Sequence, residues 1–458
     1  MGDARLAFAQ RQSSSSEQTA GNLLPFPSSA AKSDLEPPFS AQFLDKSPTL
    51  SAARAVYLKT MVIGVTGLAF IIFGVCAIFW GSIRSTPHYT IPGWIVDFDG
   101  GFVGQQVSET FAGINPGSNG IVWTVAPASQ FPEGISQLEH AIVEEQTWVA
   151  VAINAGASSN LTAALSSVDA SYNSSSVITF IGSEARSEAE YRNLIHPLIS
   201  TQLEKASRAF ALDFARNISL SFNTSALLSI APQIITEPVS YTINNIRPFD
   251  VPLGSAVTFA GLIYILILSF FMVLISNGAR QASGLEQHLT LGSLIKVRLG
   301  TSFVAYFFVA LFYTLLSSAF HLPFDRRFGR AGFVLFWMLT WVGMLACGLA
   351  LEALATILTV RFVPFFLIFW IISNMSVSGY PLEVLPHIFR FGYAYPFYNI
   401  SRGVRTIVFS TKNNLGMNFG ILIAWAVVSC ITLPFFQWLM RRRKAIAAQP
   451  KQTVEEKI

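Results

Sequence analysis

Charge is what this sequence lacks most. Only 12% of its 458 residues are Asp, Glu, Lys or Arg, against 52% hydrophobic residues and a mean hydropathy of +0.49. A soluble chain carries about a quarter charged residues, so half that amount excludes an ordinary water-soluble globule. Three cysteines are too few for a disulfide scaffold, and Cys76, Cys347 and Cys430 all fall in apolar stretches, where each reads as a small buried hydrophobe. No Gly-Lys dipeptide occurs, which removes the phosphate-cradling loop of an ATPase. His-Glu-x-x-His, Gly-x-Ser-x-Gly and zinc-ligand spacings are missing, and six scattered histidines form no cluster. The chain therefore reads as a non-enzyme, with no catalytic residues, no cofactor and no metal site, and no nucleic-acid partner is expected.

What is present is a series of uncharged windows. About twenty apolar residues cross a hydrocarbon core about 30 Å thick, and six such windows occur: Thr60–Ile83, Leu253–Ser276, Leu299–His321, Ala331–Leu351, Phe362–Tyr380 and Phe419–Met440. Pro364 and Pro434 lie inside the last two, which spans tolerate because neighbouring helices satisfy the freed backbone groups. The fold expected is a polytopic α-helical membrane protein of six transmembrane helices, with a large α/β or α+β extracytoplasmic domain over 84–250, between helices 1 and 2. Residues 1–53, rich in Ser and Pro, are expected to be a disordered cytosolic tail, 381–412 an outer re-entrant or interfacial segment, and 441–458 a basic cytosolic tail.

Orientation follows from basic residues and sequons. With the N-terminus inside, Arg54, Lys59, Arg280, Lys296, Arg298, Arg361 and Arg441–Lys444 flank the cytosolic side. Arg326, Arg327, Arg330, Arg390, Arg402, Arg405 and Lys412 then lie outside, so the bias is incomplete. Four glycosylation sequons, at Asn160, Asn173, Asn217 and Asn223, cluster in the segment between the first two spans and place it outside with both termini cytosolic. A fifth at Asn399 lies too near an apolar stretch to rank with them. Plasma membrane and internal secretory membranes present the same glycosylated face, and the plasma membrane is preferred on a family resemblance alone.

Within 84–250, fifteen acidic residues stand against seven basic ones, a net charge of about −8, opposite in sign to that of the whole chain. Trp94–Phe98, Ile121–Val125, Trp148–Ile153 and Val177–Ile181 are branched or aromatic runs ended by turn formers and read as strands. Val103–Phe111, Ile135–Glu145 and Glu184–Phe214 read as helices. Asp97 and Asp99 could jointly hold a cation, or could cap the Gly100-Gly101 turn, which needs no ligand. Glu184, Arg186, Glu188, Glu190 and Arg192 could mark a recognition surface, but their spacing is more simply a solvated helix face. Glu352 and Arg361 bracket a short inner turn near the interface and could pair across it. After the fifth span, Pro381, Pro386 and Pro396 punctuate an aromatic run, the pattern of an outer hairpin that serves either as an aromatic belt or as a substrate vestibule.

The order of anchor span, outer domain opening with Trp94-Ile-Val-Asp-Phe-Asp-Gly-Gly, five further spans and a Tyr-Pro-x-Glu…Pro…Arg-x-Gly-Tyr…Pro-Phe block resembles the fungal nitrosoguanidine-resistance membrane proteins over about residues 60–440. That group is similar to the membrane domains of type-2 ABC exporters. Its signature positions match Asp97, Asp99, Gly100, Gly104 and Arg186, then Tyr380, Pro381, Glu383, Pro386, Arg390, Gly392, Tyr395 and Pro396, none with an assigned role. The resemblance implies export of, or resistance to, small toxic or amphipathic compounds. The function expected is a permease without its own ATPase, partnered by the lipid bilayer and by a second copy or a separate ATP-binding subunit. The alternative is a non-transporting scaffold or regulator whose glycosylated domain binds a partner protein.

Overall fold

In a computed structural model of the protein, residues 42–84, 87–117, 120–218 and 224–448 are described, within two compact units, Met1–Thr66 and Gly67–Ile458. Helix α1 (Pro48–Ile83) begins in the first unit, where Arg54 donates to the carbonyls of Phe43 and Asp45, and it includes a π-helical stretch at Ile71–Cys76. The tail expected over 1–53 thus becomes helical from Pro48, because nothing after that proline breaks the run into the first span. Residues 1–41 of that tail lie outside the described residues.

Between α1 and the next long helix lies an α/β domain. Strands β1 (Ile91–Asp97), β2 (Ile121–Ala126), β3 (Val149–Ile153), β4 (Ile178–Gly182) and β5 (Tyr241–Asn245) form one sheet in the order β2-β1-β3-β4-β5. β1 pairs parallel with β2 and β3, β4 runs antiparallel to β3, and β5 is parallel to β4. All five residues of β3 are buried because helices cover both faces. Its alternation is visible in the packing. Val149, Val151 and Ile153 point to one core with Val107, Phe111, Leu161, Leu203 and Phe210, from α2 (Phe102–Ala112), α4 (Ala157–Ser167) and α5 (His196–Ile218). Ala150 and Ala152 point the other way, toward Leu138 and Ile142 of α3 (Ile135–Val143). The four strands and the α2 and α3 helices agree with the sequence reading, whereas β5 and α4 were not anticipated. The long helix expected over 184–214 is broken: Glu184–Arg186 is a 3-10 turn, Tyr191–Ile195 is π-helical, and α5 follows.

The remainder is helical: α6 (Leu253–Ala282), α7 (Leu291–Ala319), α8 (Ala331–Met375), α9 (Pro396–Phe409) and α10 (Leu415–Ala448). Among the described residues, five helices are long and apolar enough to cross a membrane: α1, α6, α7, the Ala331–Leu358 arm of α8, and α10. The Phe362–Met375 arm is a shorter apolar helix. Although α8 is hydrogen-bonded as one 45-residue helix, its contacts require it to double back. A methyl built on Gly343 would lie 2.7 Å from Ile400, while Asn374 accepts a hydrogen bond of 3.1 Å from the backbone N–H of Phe397. In a straight helix Gly343 and Asn374 would be about 46 Å apart at about 1.5 Å per residue, yet their partners stand one turn apart on α9.

The bundle packs closely where side chains are smallest. Tyr306 of α7 is fully buried against Gly348 of α8 and donates to the carbonyl of Ser269 on α6. The outward faces carry Phe308, Phe312, Leu315 and Leu316, all exposed, as expected where the surrounding medium is apolar. α10 continues through Ala448, so the first eight residues of the basic segment expected as a tail over 441–458 are helix; residues 449–458 lie outside the described residues.

Candidate functional site

At the end of the bundle away from the sheet domain, one carboxylate ties several helices together. Glu352 of α8 is 1% exposed and accepts from Arg298 of α7 at 2.8 Å and Arg280 of α6 at 2.9 Å. Arg298 also donates to Gln437 of α10, to Thr356 and to the Glu352 carbonyl. Four segments therefore converge on a group that an isolated apolar helix could not carry at depth. These two arginines approach Glu352 from helices remote in sequence; the Arg361 side chain, expected to pair with it across an inner turn, lies outside the described residues.

At the opposite end, the sheet domain is fastened to the bundle by charge. Arg326 pairs bidentately with Asp250 at 2.8 and 3.0 Å, Arg402 pairs with Glu145, Arg405 with Glu188 at 2.6 Å, and Lys412 donates to the Glu144 carbonyl. Arg327 donates to the carbonyls of Ser410 and Thr411. This explains the incomplete charge bias in the sequence: most basic residues on this side have acceptors in the acidic domain or in the loop beside it. The solvated face expected for Glu184–Arg192 is corrected here. Glu184, Arg186 and Glu190 are all buried. Burial raises the Glu184 carboxyl, but the Phe249 N–H, Arg192 and Asn245 outweigh it and hold it below the usual carboxylate range. Arg186 lies 3.6 Å above the Trp148 ring and donates to the Thr147 carbonyl.

Beside this seam is a cavity of about 440 Å³, within the size range of small-molecule sites. Phe79 and Ile83 of α1, Ala256, Phe259 and Ala260 of α6, and Met375 of α8 make its apolar wall. Glu188 and Arg405 close one end, next to Ser378, Gly379 and Tyr380. A water-sized chamber of about 30 Å³, lined in part by Arg186, Ser187, Glu383 and Tyr398, adjoins it through Ser378, Gly379, Tyr380 and Arg405. The arrangement offers an apolar body site with a charged end.

The signature positions divide by place. Tyr380 borders both spaces, while Arg186, Pro381 and Glu383 line the smaller one. Pro386 precedes a 3-10 helix, Gly392 is packed against Val377 and Leu382, and Arg390 is exposed. Tyr395 contacts Trp370 and Trp425, and Pro396 opens α9 as its first residue, where a missing N–H costs nothing. α9 is buried over twelve of its fourteen residues, so 396–409 of the segment expected to be re-entrant or interfacial over 381–412 is a packed helix. Asp97 and Asp99 cap the turn: Asp97 accepts from the N–H groups of Asp99 and Gly100, and Asp99 from those of Gly101, Gly104 and Ser158 and from the Ser158 hydroxyl. Gly104 leaves room for this, since a methyl there would lie 2.1 Å from Asp97 Oδ1. Asn160, Asn173 and Asn217 are exposed, and Asn223 lies outside the described residues. Asn399 is fully buried and bonded to Tyr393, Tyr395 and Asn418. Sequence reasoning missed Arg280 and Arg298 as partners of Glu352, and Arg405 and Glu188 as a pair; the only available signal was the rarity of charge near apolar runs.

No solved structure matches the chain. An uncharacterized endoplasmic reticulum membrane protein of Saccharomyces cerevisiae is 27% identical over 434 residues, covering 87% of this chain and 83% of the yeast protein. Together with the five long apolar helices, this makes the chain a multipass membrane protein. The model of a family described as "Protein of unknown function (DUF3533)" matches residues 65–431, most of the chain, and the protein belongs to that family.

Proposed function

We propose that the protein is a permease of amphipathic small molecules or single-chain lipids, crossing the membrane six times with the shorter arm of α8 as one crossing. The carrying observation is the cavity of about 440 Å³, whose apolar wall comes from three membrane helices and whose end is charged. Such a space accepts an apolar body while a polar head meets Glu188 and Arg405. The Saccharomyces cerevisiae relative is described as an endoplasmic reticulum protein, which favours an internal secretory membrane over the plasma membrane preferred from sequence. Export of toxic compounds and resistance to nitrosoguanidine remain part of this reading through the resemblance of the late Tyr380–Pro396 block. With the sheet domain on the lumenal side, Asn160, Asn173 and Asn217 are available for glycosylation and both termini are cytosolic.

The test is flux of a fluorescent lysolipid in liposomes containing the full-length protein. Filling the cavity with Ala260→Phe should slow flux at least tenfold, and unchanged flux at equal protein content would overturn the assignment. No enzymatic step is proposed. With no Gly-Lys motif in the sequence, driving energy comes from an ion gradient or from an ATP-binding partner. Mass spectrometry of the protein purified in mild detergent separates these, and also detects a homodimer.

One observation favours the scaffold reading instead. The sheet domain is clamped to the bundle by three ion pairs, and it carries an open groove of about 660 Å³ along α5 and β5, lined by Arg208, Leu212, Glu237 and Tyr241 among others. On that reading Leu212→Asp abolishes capture of a partner protein and leaves lysolipid flux at the level of empty liposomes.

A further inference from the structure

Two carboxylates, Glu188, which lines the cavity, and Glu190, which does not, share the charge of one arginine, Arg405. Glu190 is 2% exposed; its Oε2 accepts from the Ser187 hydroxyl and its Oε1 has no hydrogen-bond partner among the described residues. An ionised carboxylate in that position would leave a buried lone-pair oxygen without a donor, whereas a protonated one carries less charge to satisfy. The cation that acts on it is Arg405, which is engaged by Glu188 at 2.6 Å and by the Ala185 carbonyl at 3.0 Å. The Glu188 contact is close but not aligned as a hydrogen bond, so the guanidinium is held there by charge and not by a fixed fork.

We propose that Glu190 binds a proton that exchanges with an amphipathic monovalent cation in the adjoining cavity, a proposal that rests on the permease reading. With Glu190 protonated, Glu188 and Arg405 neutralise one another and the end of the cavity is closed to charge. When Glu190 releases its proton, Arg405 serves two carboxylates, and one negative charge is left uncompensated where Glu188 lines the cavity. A monocation with an apolar body restores neutrality, so one proton leaves for each cation that enters. A buried carboxylate beside a partly exposed one, with a single arginine between them, leaves a negative charge that such a guest offsets.

The surroundings fit this exchange. Burial pushes the Glu190 carboxyl up to about 7, against the pull of Ser187 and Arg405 and with the added push of Glu188. Tyr380 faces the same charge, and the neighbouring chamber brings Arg186, Arg402, Glu383 and Tyr398. Arg402 is already paired with Glu145, and Arg186 is stacked on Trp148. The chamber borders Ser187 and has room for water, giving the proton a way out.

The experiment uses the full-length protein in mild detergent, with tetraphenylphosphonium as the cationic probe, uncharged monoolein and anionic oleate as comparisons, and a pH indicator in weak buffer. Between about pH 5.5 and 7 the affinity for tetraphenylphosphonium should rise about tenfold per pH unit and then level off, with one proton released per cation bound. Monoolein should show no pH dependence, and oleate should bind more weakly than the cation. Glu190→Gln should give weak cation binding that is flat with pH, and Glu188→Gln should lose at least tenfold. Cation binding to the native protein that is independent of pH and releases no proton overturns the proposal, as does a preference for oleate, and neither result depends on a variant folding. Monoolein binding without cation exchange refutes the coupling alone. Failure of all three probes to bind refutes the cavity reading beneath it.

Discussion

The two buried charge clusters are mirror images in composition. At one end of the bundle a single carboxylate, Glu352, meets two arginines; at the other a single arginine, Arg405, meets two carboxylates. Guanidinium groups keep their protons at any accessible pH, so the first cluster has no means of neutralising its excess charge and depends on Glu352, Gln437 and Thr356 for every contact. Carboxylates can take up protons, so the second can adjust. The difference separates a fastening from a titratable site although both are built from the same residue types.

The sharpest way to break the first cluster is Glu352→Gln, which strands two buried arginines. Removing one partner of a buried pair costs about 3–5 kcal/mol, so the midpoint of thermal unfolding in detergent should fall steeply or the protein should fail to accumulate. A midpoint equal to that of the native protein would mean the helices are not held at this point. Glu190→Gln probes the second cluster and has the opposite sign. A carboxyl raised to about 7 keeps its proton in the fold at pH values where the unfolded chain has already lost it, so the native protein weakens as pH rises from the usual carboxylate range through 7. The variant escapes this and should be more stable than the native protein at pH 8, by up to about 3 kcal/mol, and nearly equal near pH 4. Parallel stability curves from pH 4 to 8 would count against a raised carboxyl.

A smaller effect is expected at the turn after β1, which belongs to neither cluster. Burial raises the Asp99 carboxyl, but the Ser158 hydroxyl and the N–H groups of Ser158, Gly104 and Gly101 outweigh it and hold it low. A depressed value contributes stability above the usual carboxylate range that is lost as pH falls through the folded value. Asp99→Asn should cost about 1–2 kcal/mol at pH 7 and remove that acid sensitivity. Adding a chelator should change neither protein; a chelator effect on the native chain alone would restore the ion-binding reading of Asp97 and Asp99.

What could be read from sequence depended on how local the cause was. β1 and β3 were legible because aromatic and branched residues follow one another in Trp94–Val96 and because Val149–Ile153 is wholly apolar with a branched residue at every second position. β5 was not, because Tyr-Thr-Ile-Asn-Asn mixes strand formers with residues that strands avoid, and it stands at the sheet edge where little is buried. α4 is rich in serine and gave no clear periodicity, yet Leu161 and Leu165 face the core. The charged run from Glu184 to Arg192 has the spacing of a surface helix, and only the arrival of Arg405 from far along the chain turns it into an interior seam. Glu352 likewise stood out as an isolated charge among apolar residues, but its partners came from other helices and no spacing rule reaches them.

The burial of α9 carries a consequence for biogenesis. This helix supplies Arg402 and Arg405 to the sheet domain, and it is synthesised more than 150 residues after the last strand, Tyr241–Asn245. Until it emerges, Glu145 lacks Arg402 and Glu188 lacks Arg405, and the docking face of the sheet domain stays uncovered. The final seating of the domain is therefore a late, post-insertion event, and chains stopped before Pro396 should be recognised as unfinished by quality control despite having a complete sheet.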